Sequence, residues 1–159
     1  PPEGEPTFEG PVVCQVSPAG DLYVGNLRDS GWGGGSNTGS VVHLAFSGEL
    51  PPGIAEVRAA ADGFEIDFTQ PVGEGGGEPS AYSVVSLRRE ATPDYGGPDI
   101  DREVHAIDAV ELSADQKRAR LTIDELRVGF VYELRTRAKA RYGAALFPAE
   151  AYYTLRRRP

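Results

Sequence analysis

The 159-residue chain has no methionine, one tryptophan, two histidines and a single cysteine, Cys14. With one cysteine it can form neither an internal disulfide nor a metal site made of several cysteine ligands. No apolar run approaches the roughly 20 residues of a membrane-spanning helix, and no segment has the pattern of a signal peptide. We therefore expect no insertion into a membrane and no cross-link within the chain.

Turn-forming residues are abundant instead, with 20 Gly and 13 Pro. Between them lie short segments in which apolar and polar residues alternate, as they do in strands with one buried face. The clearest is FEIDF, where Phe64, Ile66 and Phe68 point to one side and Glu65 and Asp67 to the other. Several such strands separated by Gly, Pro and Asp turns predict an all-β protein built as a β-sandwich.

The prolines also divide the chain. Pro51-Pro52-Gly53 cannot continue a strand, because consecutive prolines cannot join a hydrogen-bonded ladder. We expect residues 10–50 to form a short antiparallel β segment and residues 54–159 to form the sandwich. Residues 1–9 contain PPEGEP and have the composition of a linker, so we interpret the chain as a mature or excised piece of something longer.

The formal net charge of −8 argues against a general nucleic-acid binder, because phosphate binding needs clustered cations. The charge is nevertheless uneven. From Glu133 onward the chain has seven Lys or Arg residues and two acidic ones, Glu133 and Glu150. This asymmetry has two interpretations: a dipolar surface that docks a partner, or solvated strand faces followed by a charged tail.

The segment RDSGWGGGSNTG, from Arg28 to Gly39, is the least ordinary part of the sequence. A phosphate-binding loop would lead into a helix N-terminus and end in Lys-Ser or Lys-Thr. This segment leads instead into SVVHLAF, which has the β-branched composition of a strand. Trp32 among glycines favours a structured loop between two strands, with the indole lying on backbone that only glycine allows so close.

Side chains with catalytic chemistry are few and scattered. His43 and His105 have no companions at the spacing of a zinc site or a Ser-His-Asp triad, so we interpret both as surface or sheet-face histidines. Cys14 alternates with valines, which is typical of a buried small hydrophobic residue rather than a nucleophile. The sequence therefore marks no convergent set of acid, base and nucleophile.

The acidic residues Asp94, Asp99, Asp101 and Glu103 lie in or beside a long loop that contains Gly96-Gly97-Pro98. Oxygen-rich loops suit calcium, which accepts carboxylates and backbone carbonyls in flexible geometry. The EF-hand pattern is absent, and the alternation in DIDRE also fits a solvated strand. A calcium site and a solvated sheet edge are thus both open interpretations.

Four aromatic residues are candidates for exposed rings that contact a ligand or a partner: Trp32, Tyr95, Tyr142 and Tyr152. Such rings bind sugars by stacking on the apolar face of the sugar ring. A β-sandwich that presents them on one surface would be a carbohydrate-binding module. Polysaccharide is therefore one hypothetical ligand of this chain.

The segment LRVGFVYEL, from Leu126 to Leu134, resembles a fibronectin type III and bacterial Ig-like pattern of a Leu, a Gly turn and a Tyr in the following strand. In that pattern the tyrosine closes a corner by hydrogen-bonding its hydroxyl to nearby backbone. The resemblance implies an Ig/fibronectin type III-like sandwich in which Tyr132 is a core and corner residue.

A longer resemblance covers most of the chain. The stretch from Val16 to Val72 is similar to the end of large bacterial proteins built on a glucose/sorbosone-dehydrogenase-like β-propeller. In those proteins a last blade segment passes into an Ig-like domain. The most specific points are Gly25, Gly31-Trp32-Gly33, Asp62-Gly63-Phe64 and Gln70-Pro71, and EAYYTL matches the last strand of that domain.

This resemblance implies a propeller-blade-like segment at residues 10–50 and an Ig-like sandwich at 54–159. Together they would form a non-catalytic accessory or interaction module of an extracytoplasmic protein, periplasmic or secreted. The partner would be the rest of the parent propeller or another protein.

The departures from the family leave a third hypothesis open. Many relatives carry a CxxCH haem segment, which is absent here. Only about one blade's worth of strands is present, whereas a propeller needs several. The chain could then be part of a sugar dehydrogenase whose site other blades complete. These residues imply no cofactor for the chain. Calcium is the one candidate.

Overall fold

The computed structural model describes residues 10–28, 38–46, 48–93 and 96–159. The predicted linker, most of the Gly-rich loop with Trp32, and the pair Asp94 and Tyr95 lie outside the described residues. The chain divides into two compact units, Pro1–Glu49 and Leu50–Pro159. No helix in the described parts of the chain is long and apolar enough to cross a membrane.

The first unit contains a three-stranded antiparallel sheet in the order β1-β2-β3. Its strands are β1 (Pro11–Val16), β2 (Leu22–Arg28) and β3 (Thr38–Leu44). Ser17 shapes the turn between β1 and β2, because its hydroxyl accepts the backbone N–H groups of Ala19 and Asp21. Cys14 is exposed, so its interpretation as a buried residue was wrong. Cys14 lies in β1, and every residue of that strand is exposed.

The second unit contains two four-stranded antiparallel sheets. One has the order β4-β5-β9-β8 and the other the order β11-β10-β6-β7. The strands are β4 (Ile54–Ala60), β5 (Gly63–Phe68), β6 (Tyr82–Arg89), β7 (Asp99–His105), β8 (Ile107–Leu112), β9 (Arg118–Ile123), β10 (Val131–Thr136) and β11 (Glu150–Thr154). This is the strand order of an Ig-like sandwich with one strand added to its three-stranded sheet. The predicted fold class is confirmed.

The core lies between these two sheets. Phe64, Ile66 and Leu121 from one sheet meet Tyr132 and Leu134 from the other, and all five are fully buried. The rings of Phe64 and Tyr132 lie 5.0 Å apart between centroids. Burying each large apolar side chain contributes roughly 1.5–3 kcal/mol, so this layer dominates the stability of the sandwich.

Tyr132 occupies the predicted corner. The backbone N–H of Arg127 donates a hydrogen bond to the Tyr132 hydroxyl at 2.5 Å. Arg127 lies five residues upstream, in the connection that leads from β9 into β10. The structural role predicted for Tyr132 is therefore confirmed. The same bond holds the start of β10 in position.

Candidate functional site

An open groove of about 1000 Å³ lies beside the ends of three neighbouring elements of the second unit. Its lining comes from residues 80–83 at the start of β6, residues 135–137 at the end of β10, and residues 146–150 with Tyr152 in and before β11. A groove of this volume is in the range that holds a small molecule or a short stretch of a polymer.

A tight hairpin directs the chain into this groove. The N–H of Ala140 donates to the carbonyl of Ala144 at 2.9 Å, and the N–H of Gly143 donates to Ala140 at 2.7 Å. Gly143 has φ of 86°, which glycine adopts without steric cost. The returning arm of the hairpin buries Leu146 and then presents Phe147 at the surface.

The backbone around Phe147 is fixed on both sides. Its N–H donates to the carbonyl of Pro52 at 2.7 Å, and the N–H of Ile54 donates to the carbonyl of Pro148 at 2.8 Å. Because the main chain is held in this way, the Phe147 side chain extends outward and is 82% exposed. An aromatic ring at such exposure on a fixed backbone is available to contact a ligand.

Tyr152 supplies the second ring of the groove. It lies in β11 directly opposite Glu133 of β10, on the outer side of the sheet, and is 61% exposed. Its interaction with the Arg135 guanidinium is the first cause of the raised pKa of Arg135. Tyr152, a residue predicted from the sequence to contact a ligand, is thus part of the groove.

Arg135 belongs to a network of opposite charges on the same face. The Glu133 carboxylate lies 2.8 Å from Arg135 and 3.0 Å from Arg102, although its side chain is only 7% exposed. A second carboxylate, that of Glu150, lies 3.2 Å from the Nε of Arg135. A carboxylate so poorly hydrated must be paired, so this network fixes the Arg135 guanidinium beside the rings.

The other predicted aromatic residues are not part of this groove. Tyr142 is 94% exposed but is not among the lining residues. Trp32 and Tyr95 lie outside the described residues. Sequence reasoning missed Phe147, and it included Arg135 and Arg137 only among the basic residues counted from Glu133 onward. For Phe147 the available signal was an aromatic residue directly before a proline, which cannot donate to a strand ladder.

The described acids proposed as calcium ligands are each paired with an arginine. The pairs are Asp99–Arg89, Asp101–Arg88 and Glu103–Arg127. Within the described residues, no three His, Cys, Asp or Glu side chains come close enough together to hold a metal ion. Since Asp94 lies outside those residues, calcium binding by the whole set stays a prediction, and the observed pairs favour the solvated sheet edge.

The two histidines differ in environment. His43 is stacked on Tyr23 with ring centroids 4.7 Å apart, and its Nε2 lies 3.1 Å from Asp21. It is a sheet-face histidine, as predicted. His105 is the last residue of β7 and lies on a sheet, as one of the two interpretations had it, but it is buried rather than on the surface and has polar partners. The sequence could not show this, because its partners come from another strand and a turn.

His105 links the buried Ser86 to the exposed Asp124 in a polar cluster. Its Nε2 lies 2.9 Å from the Ser86 hydroxyl, and its Nδ1 lies 3.0 Å from Asp124 Oδ1. The hydrogen bond from His105 lowers the pKa of Asp124. These distances resemble those of a Ser-His-Asp triad. Ser86 is 0% exposed, however, and its hydroxyl already accepts a hydrogen bond from Arg127 at 2.5 Å.

A nucleophile has to reach its substrate, and the Ser86 hydroxyl is enclosed by protein. The chemistry available to this cluster is therefore structural: it satisfies buried polar groups and links β6 and β7 to the corner at Arg127.

No known protein family and no curated protein matches the chain. Similar solved structures are of S-layer proteins. The crystal structure of the S-layer protein rSbsC(31-844) has a TM-score of 0.50 and 23% identity, over 66% of this chain and 14% of that chain. Domains 1–6 of surface layer protein SbsC give a TM-score of 0.48 and 22% identity, over 66% and 14%. The likeness is one of fold, over a small part of those proteins.

Proposed function

We propose that this chain is a non-catalytic accessory and interaction module of a larger extracytoplasmic protein. The observation that carries the proposal is the groove, where Phe147 and Tyr152 expose aromatic rings beside a fixed guanidinium. Rings and ion-paired side chains bind ligands but supply no nucleophile. Among the described residues, the Ser-His-Asp arrangement that could supply one has its serine sealed from solvent.

The exposed apolar residues of the first unit support an incomplete sheet. Val13 and Val41 lie on opposite sides of Gly25 on one face, while Val16 lies on the other face, and all three valines are well exposed. Burying each valine is worth roughly 1.5 kcal/mol, so further β-structure is expected to cover them. Propeller blades have four strands, and the described residues of this unit form three, which fits a parent propeller.

Two observations support an extracytoplasmic location. The sequence resembles the end of large bacterial propeller proteins, and the fold neighbour rSbsC(31-844) is by name an S-layer protein. A partner from the parent chain or from a neighbouring protein would meet the module there. The sugar-dehydrogenase hypothesis for the parent stays a prediction, with no supporting residue in the described parts of this chain.

A second function, carbohydrate binding, is favoured by one specific observation. The two exposed rings of the groove, Phe147 and Tyr152, stand beside hydrogen-bonding side chains. Sugar sites combine these features, because a ring contacts the apolar face of the sugar while charged groups bind its hydroxyls.

A direct test of the non-catalytic assignment measures ester hydrolysis and sugar-dependent reduction of an artificial electron acceptor, with added quinone cofactor. The matched control is Ser86→Ala, which removes the serine hydroxyl that His105 contacts. We expect the chain and the control to give the same rates as buffer. Turnover by the chain that Ser86→Ala abolishes, or any acceptor reduction that requires the chain, would overturn the proposal.

A further inference from the structure

Four basic residues occupy alternate positions from the end of β10 into the hairpin that follows it. They are Arg135, Arg137, Lys139 and Arg141, and all four are exposed. The residues between them, Thr136, Ala138 and Ala140, are buried. Because every second side chain along this segment is exposed and the intervening ones are buried, the four basic side chains all face solvent. We refer to these four residues as the cationic row.

The cationic row has more positive charge than its neighbours neutralise. Arg135 is paired with Glu133 and Glu150. Within the part of the chain that the structure describes, Arg137, Lys139 and Arg141 take part in no ion pair. In a molecule of net charge −8, such a concentration marks the place where an anion is attracted.

The cationic row and the aromatic rings belong to the same surface. Arg135 and Arg137 line the groove together with Phe147 and Tyr152. The row then continues past the groove into the hairpin, where Lys139 pairs with Ala145. A ligand that fills the groove and extends beyond it would therefore contact both rings and the cations that follow them. This arrangement suits a linear polymer rather than a small molecule.

We propose that the groove and the cationic row bind an acidic polysaccharide, a chain of sugar rings that carry carboxylates. The apolar faces of its sugar rings stack on Phe147 and Tyr152. Its carboxylates pair with Arg137 and Arg141, whose guanidinium groups match carboxylates in a bidentate geometry, and with the ammonium group of Lys139, which acts as a point charge. The inference rests on the proposed function, since it names the ligand class of the same binding surface.

Charge favours this ligand over nucleic acid. A nucleic acid brings a phosphate at every nucleotide and needs a broadly basic domain, whereas this molecule is strongly acidic outside the cationic row. A polysaccharide with one carboxylate on each sugar matches a single line of cations. An acidic peptide would match the cations but would gain little from two flat rings.

The test is titration calorimetry of the intact chain with polygalacturonate at low salt. Neutral glucan, polyglutamate and single-stranded DNA serve as competing probes. We expect saturable binding to polygalacturonate that weakens as salt is added. Replacing the three unpaired cations together, by Arg137→Gln, Lys139→Gln and Arg141→Gln, lowers the affinity about tenfold, because three exposed pairs of about 0.5 kcal/mol each sum to about 1.4 kcal/mol.

Matched controls separate the surface from bulk charge. Arg156→Gln with Arg157→Gln removes two exposed cations elsewhere, and Tyr142→Ala removes an exposed ring that does not line the groove. We expect both to bind normally, and Phe147→Ala to bind weakly. Equal losses in the Arg156 and Arg157 variant, equal binding of polyglutamate or DNA, or no binding of polygalacturonate would each overturn the acidic-polysaccharide assignment.

One result distinguishes this inference from the proposed function. Binding of the neutral glucan alone, lost in Phe147→Ala and retained in the cation variant, contradicts the acidic ligand but keeps the groove as the binding surface. Failure of the proposed function itself appears in the separate assay, as turnover that depends on Ser86.

Discussion

At the residue scale, two buried polar contacts distinguish a structural tyrosine and histidine from functional ones. The Tyr132 hydroxyl accepts the Arg127 N–H, and the His105 ring lies between Ser86 and Asp124. Neither side chain is accessible to a ligand. Each contact therefore predicts an effect on stability, which unfolding experiments can measure.

Tyr132→Phe removes the corner hydroxyl and leaves the Arg127 N–H without its partner. We expect the free energy of unfolding to fall by about 1 kcal/mol, the usual net value of one hydrogen bond. Urea denaturation measures this change. Tyr142→Phe is the control, because Tyr142 is almost fully exposed and should give no change. Equal stability of both variants would mean that the corner bond contributes nothing.

His105→Phe keeps an aromatic ring, though a larger one, and leaves the Ser86 hydroxyl without its histidine partner inside the core. Unsatisfied buried polar groups cost roughly 1–3 kcal/mol each, so the sandwich should be destabilised by that amount. The control is His43→Phe, at a half-exposed position in the other unit, which should leave the unfolding of the sandwich unchanged. Denaturation followed by tyrosine fluorescence makes the comparison; similar curves would contradict a structural role for the cluster.

At the element scale, the turn between β4 and β5 shows how tightly the strands approach. Gly63 pairs with Ala60 across the hairpin and with Thr122 of β9. A Cβ at this position would overlap the carbonyl oxygen of Leu121. The sequence pair Asp62-Gly63 predicted a tight turn, and the structure adds that a third strand also requires the glycine.

Gly63→Ala should therefore destabilise the sandwich by roughly 3 kcal/mol, the upper end for a forced overpacking. The matched control is Gly77→Ala, where the new Cβ would sit 3.6 Å from Leu112, an ordinary contact. Thermal unfolding followed by circular dichroism compares the two. A similar midpoint for both variants would show that β5 and β9 can separate to admit the methyl group.

Elements with strict alternation were predictable from the sequence, and the groove was not. FEIDF and RARLTI gave β5 and β9, because a buried face repeats every second residue. The groove combines Phe147, Tyr152 and Arg137 from segments that pairing of β10 with β11 brings together. Similarly, Ser86, His105 and Asp124 meet only after the sheet has formed. Local patterns contain no information about such long-range register.

At the scale of the whole molecule, aspartates that accept hydrogen bonds set the response to acid. Hydrogen bonds lower the pKa of four aspartates, namely Asp62, Asp67, Asp115 and Asp124. For Asp67 the first cause is Arg118 and a further one is Arg58, so this carboxylate links β5 to both neighbouring strands. A lowered pKa means that folding favours the ionised form.

Each of these aspartates stabilises the fold fully above its unfolded pKa of about 3.9, and the contribution is lost as pH falls through the lower folded value. We therefore expect stability to be constant with respect to these groups near neutral pH and to decline below about pH 4. Asp67→Asn should be less stable at neutral pH and lose less on acidification. Urea midpoints measured from pH 7 to pH 2.5 test this; parallel curves for variant and parent would contradict it.

The two units contribute differently at this scale. Every residue of the hydrophobic core cluster, from Ile54 to Leu155, belongs to the second unit. The first unit exposes valines on both sheet faces. We therefore expect a ligand to bind at the outer face of the sandwich, and further β-structure to associate with the three-stranded sheet.

The most direct test of ligand binding at the groove maps where on the chain a ligand binds. The ¹⁵N-labelled chain is titrated with polygalacturonate oligomers, and amide chemical shifts are followed. We expect amide chemical-shift changes confined to residues 80–83, 135–141 and 146–152. Changes centred on Ser86, His105 and Asp124, or on the sheet of β1 to β3, or no changes at all, would contradict it.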